Sequence, residues 1–228
     1  MIQRSTLWSC VLGALCGCLF IGNAGCKPKA PEQTTIVVIP KGTSHEYWKF
    51  VEAGALQAGD DLKVKVLYRG TLNEDDHSGQ IGKVTEAIGD RVSGIVLAPQ
   101  EADAMVRPVQ QATAAGVPVV VFDSALNATP GVDYVTLVAT DNEKAGAMGG
   151  DELGRLLKDK KDAKVVLLRY EHGSASTDAR EAGFLEAIAK YPNITVIEKD
   201  REGHSTAISA KTESMNLLDK LKDCDGIF

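Results

Sequence analysis

From Thr35 onward, short apolar runs alternate with amphipathic stretches, which predicts an α/β protein: two doubly wound parallel-sheet lobes joined by a hinge, the second truncated. Three observations carry this. The runs Ile36-Val-Val-Ile39, Gly94-Ile-Val-Leu-Ala98 and Pro118-Val-Val-Val-Phe122 are continuously apolar, as strands buried on both faces are. Each is separated from the next by a segment of helical periodicity, the pattern of right-handed crossovers. Between Tyr134-Val135 and Asp141-Asn142 no full helix intervenes, so the chain can cross there from one sheet to another.

The first strand, Ile36–Ile39, ends at Pro40 and Gly42. Tyr47, Phe50, Val51, Gly54-Ala55 and Ala58 then recur at helical spacing. Val64–Tyr68 reads as the second strand, and Ile81, Val84, Ala87 and Ile88 mark the next helix. Gly94–Ala98 stops at Pro99, and a helix over Ala102–Ala115 closes at Gly116. Pro118–Phe122 ends at Asp123, and Tyr134–Val138 completes five strands. A second series follows: helix Glu143–Leu157, strand Lys164–Arg169, helix Thr177–Ala189, strand Thr195–Glu198, helix Ser205–Leu221 and a strand from Gly226. This divides the chain into a first lobe at 36–138, a hinge at 139–142 and a second lobe at 143–228. The chain stops inside the apolar run Ile227-Phe228, so the second lobe is expected to be incomplete.

The first 35 residues speak of destination. Arg4 precedes an apolar run from Leu7 to Ile21, closed by Gly22-Asn-Ala-Gly-Cys26, which reads as a signal peptide over 1–25. Cys26 stands where a bacterial lipoprotein is cleaved and lipidated, and 26–35 read as a Pro-stiffened tether. Position 23 is Asn where that motif prefers an aliphatic residue. Cleavage after Ala24 to a soluble protein, or lipidation at Cys18, are the other readings of the same residues. Either way the protein is exported, to the periplasm or cell envelope, with membrane contact only through a lipid anchor.

Net charge is −6 and no basic cluster lies outside the tether, so nucleic acid is excluded as a partner. Four of the five cysteines fall within residues 10–26, and Cys224 alone cannot build a disulfide framework. It reads as a small residue at the mouth of the last strand.

Ligands of open parallel sheets bind beyond the carboxyl ends of strands, where strand order reverses. That rule selects Lys41–Trp48, Pro99-Gln-Glu101, Asp123-Ser124, Tyr170-Glu-His172 and, at the hinge, Asp141-Asn142. These are aromatics, carboxylates and neutral donors, with cations expected only at the margins. Hydroxyls of a small polyol take such acceptors and amides, while the C–H face of a sugar ring packs on an aromatic plane. Asp123 is the expected hydroxyl acceptor, against a reading as a turn cap. Of Tyr47 and Trp48 one is expected at the ligand, Trp48 by preference, with the other in the core. Asn142 faces the ligand or caps the following helix.

At these residues the chain resembles the periplasmic sugar-binding proteins of the ribose-binding type, which serve ABC transporters. The resemblance runs from about Thr35 to Phe228. It rests on the His45-Glu-Tyr-Trp48 turn, Gly94–Pro99, Ala115-Gly-Val-Pro-Val-Val-Val-Phe-Asp123, Thr140-Asp-Asn142 with Ala145-Gly146, and Ala179-Arg-Glu-Ala-Gly-Phe184. It implies the two-lobed periplasmic binding protein type I fold, capture of a pentose or hexose between the lobes, an ABC transporter permease as partner, no cofactor and a monomer. Carried over, Tyr47 and Trp48 are the aromatic pair, His45 a polar contact, Asp123 the carboxylate, Ser124 and Asn142 neighbouring contacts, and Arg180 matches a neighbouring arginine of the segment that carries the second-lobe arginine. Ser124 stands where the ribose binders carry Arg, and Asp178 where they carry the second-lobe Arg, so the pattern for that sugar is broken.

An enzyme is the rival class. His45-Glu46 lacks the second His of a zinc helix, since position 49 is Lys, and His77, His172 and His204 show no metal-ligand spacing. His77 and His204 read as solvated loop residues. Gly146-Ala-Met-Gly-Gly150 lacks the dinucleotide-binding order, and no nucleophile elbow or P-loop occurs. No catalysis and no metal are expected. A sensory module presenting its ligand to a membrane receptor would use the same fold and is the alternative function.

Overall fold

A computed structural model describes residues 33–228, so the signal, most of the tether and Cys26 lie outside the described residues. The first five strands are β1 (Thr35–Ile39), β2 (Lys65–Tyr68), β3 (Gly94–Leu97), β4 (Val119–Phe122) and β5 (Thr136–Val138). They form one parallel sheet in the order β2-β1-β3-β4-β5. Between them run α1 (Glu46–Leu62), α2 (His77–Gly89) and α3 (Val106–Ala114). A second parallel sheet, ordered β7-β6-β8, contains β6 (Ala163–Val166), β7 (Ile194–Glu198) and β8 (Gly226–Ile227). Its helices are α4 (Asn142–Leu157), α5 (Ala175–Ile188), α6 (Ala207–Asn216) and α7 (Leu218–Lys222). Strand order reverses between β1 and β3, which makes the mouth between their carboxyl ends the crevice of the first sheet.

One face of the five-stranded sheet is closed. Val37, Ile39, Ile95, Leu97, Val119 and Val121 point to α2 and α3, meeting Val84, Ala87, Met105, Val109 and Ala112 in a single apolar cluster. The other face carries α1. In the second layer Val165, Leu167, Phe184 and Ile188 form the core, and Phe184 stacks on Phe228 with ring centres 4.0 Å apart. Among the described residues no helix is long and apolar enough to cross a membrane.

Local chemistry moves several expected boundaries. The helix expected from Ala102 begins at Val106, because 102–105 are held as turns. The Glu101 carboxylate accepts from the Asp103 and Ala104 amides, while Ala102 donates to Gly173 and accepts from Asn127. The helix expected over Ser205–Leu221 is two helices broken at Leu217, which is buried and turns out of α-helical geometry. Thr206 starts the first with a reciprocal capping box to Ser209. Strand β5 is shorter than expected, since Tyr134 is drawn into a turn with Pro130 and Gly131. His77 is not a loop residue: it opens α2 and its Nδ1 is buried without a hydrogen-bond partner.

Candidate functional site

At the crevice mouth the backbone of the first layer is fixed by two buried amides. Gln80 donates to the Pro40 carbonyl at 3.0 Å and the Ala98 carbonyl at 2.8 Å, and accepts from the Gln100 amide at 2.9 Å. Gln100 in turn donates to Lys41 O and, at 2.8 Å, to Thr71 Oγ1. Loops that would otherwise carry unsatisfied buried carbonyls are thereby tied together at the ends of β1, β2 and β3. Gln100 lies in the strand-end loop selected from sequence, whereas Gln80 was not singled out, because an amide that serves only backbone leaves no spacing signal.

A cavity of about 340 Å³ opens between these loops and the loops of the second layer. From the first layer it is lined by Lys41, His45, Tyr47, Trp48, Glu74 and Asp123, and from the other side by Thr140, Asn142, Tyr170, Ser176, Thr177 and Arg180. Asp123 sits directly after β4 with φ +65°, a left-handed conformation that Asp tolerates better than most residues. Its amide continues the ladder to Val138 O at 3.0 Å. The conformation turns its carboxylate to the Tyr47 hydroxyl, which donates to Oδ1 at 3.0 Å, and to the Lys41 ammonium, 3.5 Å from Oδ2. Burial first, and then the Asp123 charge, push the Tyr47 phenol up to about 12.

Both members of the aromatic pair line the cavity, and they differ in burial. Trp48 is the core member at 2 % exposure, packed edge-on to Phe122, and its indole N–H donates to Glu74 Oε1 at 2.7 Å. Tyr47 is the exposed member, 49 %, and meets Trp48 edge to face at 4.8 Å. Adjacent helical positions face about 100° apart, so only one could turn inward, and the indole gained the buried carboxylate as its partner. His45 caps α1, accepting from the Tyr47 amide through Nδ1 at 3.1 Å, and lines the cavity as well.

Asn142 is not the cap of α4. Asp141 takes that role, accepting from Lys144 N at 3.1 Å. Asn142 is freed to accept from Arg180 Nε at 2.8 Å and to donate to Thr140 O at 3.1 Å, and both it and Arg180 line the cavity. Ser124 does not line it. The side chain is 1 % exposed and its hydroxyl accepts from the Ser176 amide at 3.0 Å. Asp178, at the position where the ribose binders carry Arg, pairs instead with Arg169, which also reaches Glu181.

The expectation that cations stay at the margins is corrected by Lys41. It is 3 % exposed, and its Nζ donates to Ser174 Oγ at 2.9 Å and Ser176 Oγ at 3.1 Å besides facing Asp123. Burial pushes its amine below the ordinary lysine value, with Asp123 the chief opposing influence. Glu74, at 7 % exposure, was missed by sequence reasoning, as were Thr140, Ser176 and Thr177 on the other wall. Glu74 follows β2, whose loop had not been selected although it ends on the same side as the others. Burial, and next the Glu74 charge, raise the Tyr170 phenol above its usual range. His204, expected to be solvated, contacts the Glu171 carboxylate at 3.3 Å, and with Glu202 these groups lie within 4.8 Å of one another outside the cavity. Two carboxylates, two cations and several neutral donors around one small cavity can grip a polyhydroxylated molecule from opposite sides.

The comparisons with known proteins agree with this arrangement. The family described as periplasmic binding protein domain matches residues 36–228. The D-ribose/D-allose-binding protein of Pseudomonas aeruginosa is 29% identical over 178 residues, covering 74% of this chain and 54% of that protein. The ribose import binding protein of Bacillus subtilis is 32% identical over 164 residues, 63% of this chain and 51% of that one. The chain thus spans about half the length of the curated relatives it matches. Among solved structures, the periplasmic component of an ABC-type sugar transport system from Hahella chejuensis superposes with a TM-score of 0.80 at 33% identity, covering 85% of this chain and 69% of that one. A carbohydrate transporter solute-binding protein from Agrobacterium radiobacter, in complex with D-arabinose, gives a TM-score of 0.80 at 30% identity over 87% of this chain and 67% of that one. Parallel sheets that meet across a cavity at their strand ends, and a family match spanning both of them, lead to one assignment: the chain belongs to the periplasmic binding protein domain family.

Proposed function

We propose that this chain serves an extracytoplasmic solute-binding protein that captures one pentose or hexose between two lobes, 36–138 and 143–228, about a hinge at 139–142, and delivers it to an ABC transporter permease. The observation that carries this reading is Asp123. Its carboxylate is held from behind by Tyr47 and Lys41 at the edge of the cavity, opposite the Arg180–Asn142 pair. An acceptor on one wall and a guanidinium on the other suit vicinal hydroxyls, each able to donate to one and accept from the other. Exposed Tyr47 offers its ring plane to the apolar face of the sugar. In keeping with this, the Agrobacterium radiobacter structure contains D-arabinose, and one from Actinobacillus succinogenes, of TM-score 0.76, contains D-allose.

The site is a binding site rather than a catalytic one on this reading. Its carboxylates are occupied by Tyr47, Lys41 and Trp48, and none is paired with a nucleophile. Export, a lipid anchor at Cys26 and a monomeric state complete the proposal. Calorimetric titration with D-ribose, D-arabinose and D-allose tests it. Saturable one-to-one binding of at least one sugar is expected, while heats of dilution alone across a pentose and hexose panel would remove the reading.

A further inference from the structure

The segment Gly173–Ser176, which leads into α5 of the second layer, touches three separate loops of the first. Gly173 O accepts from the Ala102 amide at 3.1 Å, in the loop after β3. The Ser176 amide donates to Ser124 Oγ at 3.0 Å, in the loop after β4. The Ser174 and Ser176 hydroxyls accept from Lys41 Nζ, in the loop after β1, and the same ammonium lies 3.5 Å from Asp123. Apart from the Lys41–Asp123 pair, which lies within the first layer, these bonds join the layers through atoms of the protein itself. Their side chains are closed off: Lys41 is 3 % exposed, Ser174 2 % and Ser124 1 %.

Gly173 shows how close the approach is. It stands at φ +80°, and a Cβ there would come within 2.7 Å of Glu101 Cγ. A separation of the layers would return the Lys41 ammonium to water but break the interlayer bonds together, leaving only its pair with Asp123. The geometry points to Lys41 as a positioning residue: it clasps the two layers through Ser174 and Ser176 and, by the same ammonium, sets the Asp123 carboxylate, through contacts made by the protein's own atoms. The bonds available to one ammonium explain the arrangement. It has three donors: two go to the serine hydroxyls, and the charge also faces the Asp123 carboxylate 3.5 Å away. Lys41 therefore acts through Asp123 and through closure. Its bearing on sugar capture rests on the function proposed above, whereas the clasp does not, so its test is run without sugar.

Hydrogen exchange of the ligand-free chain reads the clasp at the amides of Ala102 and Ser176, whose acceptors lie in the opposite layer. In wild type both are expected to be protected. The double variant Ser174→Ala/Ser176→Ala keeps the buried ammonium but removes two acceptors, and should exchange at those two amides at least about tenfold faster, since one charge-assisted bond alone is worth that factor. The amides of Val37, Ile95 and Val165 in the strand cores should keep their rates. Lys41→Met should loosen the same two amides. Unprotected Ala102 and Ser176 in wild type, unchanged rates in the double variant, or a uniform rise through both sheets in both variants would each overturn the clasp.

Discussion

In the proposed function Asp123 takes up a hydroxyl with what its neighbours leave free. Tyr47 occupies one lone pair of Oδ1 and Lys41 approaches Oδ2, so the carboxylate is oriented and still has acceptor capacity toward the cavity. A charge-assisted bond is worth roughly 1.5–3 kcal/mol, about one to two powers of ten in affinity. Asp123→Ala is accordingly expected to weaken sugar binding by about fiftyfold or more in calorimetry with the fold intact, and a loss below about threefold would leave Asp123 a mere turn residue. Lys41 allows a prediction in pH. Its native pKa lies below 10.5, so between the two values the unfolded chain holds a proton that the native chain has released. Native stability must then rise with pH across that window, and below it the burial penalty is fully present. Wild type should therefore gain on Lys41→Met in urea midpoint as pH is raised from 7 toward 10. Parallel curves would show that Lys41 titrates alike in both states. Asp123, Tyr47 and Asn142 were legible because strand-end loops and the hinge are recognisable in sequence, whereas Arg180, inside α5, was reached only through the resemblance. Lys41 was legible in position but not in burial, since no local pattern says that Ser174 and Ser176, more than a hundred and thirty residues on, would take its ammonium.

Helices α4 and α5 come together through glycine. Gly146 faces the Arg180 carbonyl and Gly183 the Glu143 carbonyl so closely that a Cβ on either would fall on those atoms. Gly150 and Gly154 extend the same row of α4 toward Phe184 and Tyr191. This explains a glycine run that had offered only a poor dinucleotide motif: its role is helix approach. The approach also has a consequence at the site, because it brings Asn142, at the start of α4, against Arg180 on α5. Gly183→Ala should thus cost about 2 kcal/mol or more, as overpacking against backbone does, and loosen the Arg180–Asn142 bond. Gly82→Ala is the contrasting case, with nothing within 4 Å of the added methyl on α2, and should stabilise by about 0.5–1 kcal/mol. Equal unfolding midpoints for the two variants would refute the packing argument. At this scale the order of strands and helices was readable from apolar periodicity. The break at Leu217 and the late start of α3 were not, because a buried leucine and the Glu101 carboxylate decide them through contacts that periodicity does not encode.

Parallel sheets are ordinarily covered on both faces, and among the described residues the five-stranded sheet departs from that. Its α2–α3 face is closed by a continuous apolar cluster, whereas on the α1 face an apolar cavity of about 500 Å³ opens between Val38, Val96, Phe122 and Val138 of the sheet and Val51, Ala55 and Leu62 of α1. Helix α1 buries little of itself there: Phe50 and Leu62 are each 72 % exposed, and its buried residues are Trp48 and Gly59. The uncovered side ends at β5, an outermost strand whose three residues are all exposed, including Leu137 and Val138. An apolar, unprotected edge beside an open apolar face is a template for pairing with another chain. The 228-residue chain should therefore bind a hydrophobic dye in its native state and self-associate with rising concentration. Val138→Lys places a solvated charge on both the edge and the rim of that cavity, the device by which natural edge strands resist pairing. Light scattering against concentration should show the variant remaining small where wild type grows, while D-arabinose titration, read at a cavity that Val138 does not line, stays the same. Growth equal to wild type in the variant would place the sticky surface elsewhere, and absence of growth in wild type would mean that this face tolerates water as it stands.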